Sequence, residues 1–136
     1  AQMQRGNSLS HRTWLQLNEK RHRMRLAWDA FFKDYDLVLC PVAVTAAFPH
    51  DHKDPRHERL IVVNNKQVPV VDQIFWAGYS CVTYLPASAA PIGQSSDGLP
   101  IGVQIVGPQY GDYDCIQFAK LLDQEYRSFV PPPAYQ

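Results

Sequence analysis

The sequence has little of what cross-links a chain or carries it into a membrane. Only three cysteines, Cys40, Cys81 and Cys115, occur among 136 residues. They are odd in number, far apart and without a Cys-x-x-Cys pair, which excludes a disulfide framework and argues against a structural zinc site. Each lies in an apolar stretch, so each is expected to be a small buried hydrophobe, its thiol reduced as in a cytoplasmic protein. No apolar run approaches the roughly 20 residues of a membrane-crossing helix, and the N-terminus lacks the charged-then-apolar pattern of a signal peptide. Net charge is missing too. Thirteen Lys and Arg balance thirteen Asp and Glu, which removes the electrostatic case for nucleic acid or an anionic membrane as partner. Internal repeats and low-complexity segments are also absent. The first residue is Ala rather than Met, the expectation for a chain that starts inside a longer protein.

What is present is the composition of one globular unit, 46% hydrophobic and 19% charged. Trp14, Leu17, Met24, Trp28 and Phe31 recur at helical spacing and predict a long helix over residues 10–35. Ser8 or Ser10 is placed to cap it. The cations between them, Arg12, Lys20, Arg21, Arg23 and Arg25, read as a solvated face rather than a nucleic-acid groove. Asp36-Leu37-Val38-Leu39-Cys40 follows and stops at Pro41, a run apolar enough for a fully buried strand. Residues 43–71 form a mostly irregular stretch with a short hairpin within 60–68; so long a loop in a compact domain suggests a functional or covering role. A second helix over 72–81 carries Phe75, Trp76 and Tyr79. Two strands, 87–92 and 101–106, are joined by a turn at Asp97-Gly98, and a closing helix runs over 112–127 before Pro131-Pro132-Pro133.

Four pieces in this order are similar to the C-terminal third of the amidase-signature family. They are the helix-to-strand passage ending in Asp36-Leu37-Val38-Leu39-Cys40-Pro41-Val42; Trp76 with Leu85-Pro86-Ala87; Pro91-Ile92-Gly93; and Gly98-Leu99-Pro100-Ile101-Gly102-Val103-Gln104-Ile105-Val106-Gly107-Pro108. The last run is the most specific. The resemblance implies an α/β fold, the C-terminal part of an α/β/α sandwich with a mixed β-sheet, incomplete on its own. Residues 1–136 would be the C-terminal segment of a single amidase domain. It also implies hydrolysis of a carbon–nitrogen amide bond through a Ser–cis-Ser–Lys triad, without metal or organic cofactor, and an oxyanion stabilised by backbone N–H groups. Those groups belong to the family's N-terminal two-thirds, so no catalytic residue is carried over and the chain alone is expected to be inactive.

The expected partners are the N-terminal part of the amidase, on the same or a separate chain, and a small-molecule amide. Trp76, Tyr79 and Gly93 are the candidate substrate-binding residues, although aromatic packing onto the sheet explains the first two equally well. Self-association is expected through open sheet edges and the apolar faces of Leu37, Leu39, Val103 and Ile105. Gly93-Gln94-Ser95-Ser96-Asp97-Gly98 superficially looks like a nucleophile loop but lacks the strand–Ser–helix context and the Gly spacing, and reads as a polar turn. His50, Asp51, His52, Asp54 and His57 bring metal-binding groups together, but Lys53, Arg56 and Arg59 among them would repel a cation. An exposed polar loop is expected. Two readings of other classes stand beside the hydrolase: a binding or interaction domain without hydrolysis, and a small metal-binding protein built on the His50 to His57 loop.

Overall fold

The computed structural model describes residues 2–132 and Tyr135; Pro133, expected to bar any helical continuation, lies outside the described residues. A short helix α1 (Gln2–Asn7), not foreseen from the periodicity, precedes the long helix α2 (His11–Phe31). Ser10 provides the cap. Its backbone is extended and its Oγ accepts from the Thr13 N–H at 3.2 Å, satisfying one of the unpaired donors of the first turn. The helix ends four residues earlier than its pattern suggests. From Phe32 onward the N–H groups of Lys33 and Asp34 bond the carbonyls three residues back, which tightens the last turn and swings the chain into the sheet.

The sheet has three strands, β1 (Val38–Pro41), β4 (Ala87–Gln94) and β5 (Pro100–Val106), in the order β1-β5-β4. Between β1 and β4 in the chain lie the hairpin of β2 (Leu60–Val63) and β3 (Lys66–Pro69), a 3-10 turn over Val70–Gln73, and helix α3 (Ile74–Thr83). Asn64 and Asn65, both with positive φ, form the hairpin's two-residue turn. Pro91 fits into β4 because that strand has an open edge and a bulge there, where a missing N–H interrupts no ladder. Helix α4 (Asp112–Glu125) closes the chain.

Successive side chains of β5 point to opposite faces, and each face is covered. Val103 and Ile105 face α4, where they pack with Ala90 and Cys115 beside Leu37, Ile92, Phe118, Ala119 and Leu122. Val106 faces α2 and α3, within a second cluster of Cys40 and Leu85 flanked by Trp28, Phe32, Val38 and Trp76. The layers are therefore helix, sheet, helix, the α/β arrangement expected. Every strand pairing among the described residues is antiparallel, so the mixed character expected of a complete sheet is not carried by these strands. Ile105 and Val106 are wholly excluded from solvent, worth roughly 1.5–3 kcal/mol for each side chain.

Four expectations are corrected here. The run ending at Pro41 is an edge strand among the described residues, not one buried on both faces: β1 pairs with β5 alone, and Leu39 is 52% exposed. Val103 and Ile105 form no open apolar face, since α4 covers them. Cys81 is exposed, unlike Cys40 and Cys115. Helix α2 ends at Phe31. Among the described residues no helix is long and apolar enough to cross a membrane.

Candidate functional site

Beyond the C-terminal end of β1 the chain leaves the sheet as Val42-Ala43-Val44-Thr45-Ala46-Ala47, without regular structure. One side chain holds it. Gln73, at the end of the 3-10 turn before α3, accepts the Val44 N–H at 3.0 Å through Oε1 and donates from Nε2 to Thr45 Oγ1 at 2.9 Å. The loop so held forms one wall of a groove of about 600 Å³. Pro41 of β1, Ala89, Ala90 and Pro91 of β4, Pro100, Ile101 and Gly102 of β5, and Phe129 form the rest. Gly102 lets the walls meet: a Cβ there would lie 3.3 Å from the Ala90 carbonyl oxygen and 3.5 Å from Val42 Cγ2.

No lining residue carries a charge, and the hydroxyl of Thr45, the one polar side chain in the lining, is engaged by Gln73. Such a surface can hold an apolar, uncharged group by burial; it offers no nucleophile and no base. A second groove of about 470 Å³ adjoins it, shares Thr45, Ala46 and Ala47, and reaches His50, Asp51 and the hairpin at Leu60, Ile61, Val62 and Gln67.

None of the three substrate-binding candidates lines this groove. Trp76 and Tyr79 lie on α3 with ring centroids 6.4 Å apart. Trp76 joins the Cys40–Leu85–Val106 cluster, and its carbonyl accepts from the buried Gln104 Nε2 at 3.1 Å. Tyr79 meets the Trp28 ring edge to face at 5.3 Å, and burial, with a smaller contribution from Cys40, pushes its phenol above its ordinary value. Gly93 pairs with Ile101 across the β4–β5 ladder; a Cβ there would meet nothing within 4 Å. Residues 43–47 belong to the irregular stretch whose length suggests a functional or covering role, whereas Gln73 and Phe129 were not singled out from the sequence.

The polar turn is as expected. Ser95 Oγ accepts the Leu99 N–H at 3.1 Å, and Gly98 takes φ +78°. In the loop of histidines, Asp51 accepts the Lys53 N–H at 2.9 Å and Asp54 pairs with Arg59 at 3.4 Å. Among the described residues no group of three or more His, Cys, Asp or Glu is placed to hold a metal ion.

The layered sheet with an uncharged groove at its end defines an α/β sandwich unit. Comparison with known proteins sets that unit in a family. The family model described as Amidase matches residues 1–116. A glutamyl-tRNA(Gln) amidotransferase subunit from Wolinella succinogenes is 30% identical over 111 residues, covering 82% of this chain and 22% of that protein. Indoleacetamide hydrolase of Bradyrhizobium diazoefficiens is 28% identical over 111 residues, covering 78% and 19%. Among solved structures, a glutamyl-tRNA(Gln) amidotransferase subunit from Thermotoga maritima superposes with TM-score 0.61 at 24% identity, over 83% of this chain and 23% of that one. A protein from work on the evolutionary origins of an s-triazine catabolic enzyme superposes with TM-score 0.72 at 23% identity, over 88% and 25%. The chain belongs to the amidase family, and it spans about a fifth of the length of the curated relatives it matches.

Proposed function

We propose that this chain is the C-terminal segment of a single amidase domain that hydrolyses a carbon–nitrogen amide bond, and that it contributes scaffold and part of the substrate pocket. The triad, in this reading Ser–cis-Ser–Lys, stands on the N-terminal part of the enzyme, in the same or a separate chain. The observation that carries the reading is the family match over residues 1–116, which takes in every element that builds the groove except Phe129. The groove's uncharged lining suits the apolar acyl or amine portion of a small amide, held while groups from elsewhere attack the carbonyl.

Trp76, Tyr79 and Gly93 enter the proposal as the flank of that pocket. Phe75, which is 61% exposed and packs edge to face on Trp76 at 5.1 Å, extends the same aromatic surface outward. Gly93, with open space where a Cβ would stand, leaves room for substrate beside the groove.

Anilide release measured for the chain alone, for a catalytic N-terminal amidase portion alone and for their mixture tests the proposal. Turnover is expected only in the mixture and in proportion to complex formed. Hydrolysis by the chain alone that disappears on Ser95→Ala or Ser96→Ala substitution would overturn it.

A further inference from the structure

Helix α2 carries two cations whose charge nothing in the described residues answers. Arg21 and Arg25, one helical turn apart, place their guanidinium carbons 4.4 and 5.3 Å from the centroid of the Tyr84 ring. Tyr84 is brought there by an unusual backbone. It caps α3 in the left-handed conformation, φ 60°, with its N–H turned back on Cys81 and Ser80, a position that ordinarily favours glycine. The ring attracts cations, but its face supplies no lone pair to a donor.

The hydrogen bonds of both guanidiniums go to neutral amides. Arg21 donates to Asn18 Oδ1, and Arg25 Nη2 donates to Gln109 Oε1 at 2.6 Å. The ion pairs among the described residues are Arg23–Glu19 and Arg59–Asp54. Asp112 borders the adjoining groove with Tyr84 and Gln109 and pairs with neither arginine. Among the described residues, Arg25 Nε is the one buried side-chain nitrogen or oxygen with no hydrogen-bond partner. A buried donor left unmade is costly, and one on a charged group more so. Two like charges on one ring with a missing acceptor describe half of an interaction.

We propose that Arg21 and Arg25 over Tyr84 form a recognition site for an Asp or Glu side chain carried by the remainder of the amidase protein. This rests on the reading that the chain works joined to a larger enzyme, about four-fifths of whose length in the curated relatives lies outside this segment. A carboxylate matches the guanidinium fork at Nε and Nη2 and is favoured over a neutral amide there. To receive it, the Gln109 side chain swings off Nη2. A protein segment fits better than a phosphate polymer. Beside Arg21 lie Trp14 and Leu17, each nearly half exposed, which need an apolar cover. Arg23, the neighbouring cation, is already paired to Glu19.

The test uses the 136-residue chain and reads the arginine Nε–Hε cross-peaks by NMR. N-acetyl-glutamate N-methylamide is the probe; its neutral glutamine counterpart and inorganic phosphate, at matched ionic strength, are the other arms. A saturable downfield displacement of the Arg25 signal is expected with the glutamate probe, with little change at Arg23. Arg21→Gln should weaken the response, and Gln109→Ala, which opens Nη2, should strengthen it. Equal displacement by the glutamine probe, stronger binding of phosphate, or no displacement would each overturn the assignment. The readout involves no hydrolysis, so its failure is distinct from failure of the amidase reading.

Discussion

The junction between β5 and α4 leaves no room for a side chain at Gly107. A Cβ built on Gly107 would lie 2.7 Å from Cys115 Sγ, closer than packed atoms come. Gly107→Ala is expected to cost about 1–3 kcal/mol through overpacking. Adding Cys115→Ala should recover part of that loss, and a urea-unfolding double-mutant cycle would detect the coupling. Gly102 is less severe at 3.3 Å from a carbonyl oxygen, yet a branched side chain there meets both β4 and the loop. Gly102→Val should therefore destabilise the fold more than Val103→Ala does. At Gln73, replacement by Ala removes both bonds to the loop, about 1 kcal/mol each. Amide exchange at Val44 should accelerate accordingly, and unchanged exchange would show that the loop is held by packing instead. Gly102 was legible in the sequence as a glycine inside an apolar strand. Gln73 and Gly107 were not, because their partners, Thr45 and Cys115, meet them only after folding.

At the scale of elements, the periodic signals placed α2, α3, α4, the hairpin and the β4–β5 pair. Burial was harder to read: an apolar run such as Asp36-Leu37-Val38-Leu39-Cys40 looks the same in a central and in an edge strand. The cap at Ser10 was visible, and Ser10→Ala should lower stability by about 1 kcal/mol, less if the helix end frays in the folded state. Helix α4 carries a pH dependence. Burial first, then Asp112 and Asp114, hold the Cys115 thiol above its ordinary value. Its folded pKa exceeds its unfolded one, so its contribution to stability is complete below the unfolded thiol's pKa. It is lost as pH rises, because the unfolded chain releases the proton first. Melting temperature should fall with pH through the alkaline range, and less steeply in Cys115→Ala.

At the scale of the molecule, β1 and β4 each leave an edge without a partner strand among the described residues, and Trp14, Leu39 and Phe75 lie about half exposed or more. Edges of this kind pair with other chains. Sedimentation velocity is expected to show concentration-dependent association of the isolated chain, reduced when a strand-disrupting charge is introduced by Leu39→Lys. A monomer at all concentrations would contradict this. The exposed patch differs from the one read in the sequence, since α4 has taken Val103 and Ile105 out of it.

Local chemistry determined the elements: helical spacing, a serine cap, paired asparagines with positive φ, and proline and glycine at the turns act over a few residues and need no distant partner. The same residues, in order, carried the family resemblance. Tertiary structure alone decided what depends on chain segments meeting. The groove between residues 42–47 and the ends of β4 and β5, the Gln73 latch and the stacking of Arg21 and Arg25 on Tyr84 are of this kind. Each brings together groups whose separation along the chain has no period to reveal it, and whose proximity exists only once both faces of β5 are covered.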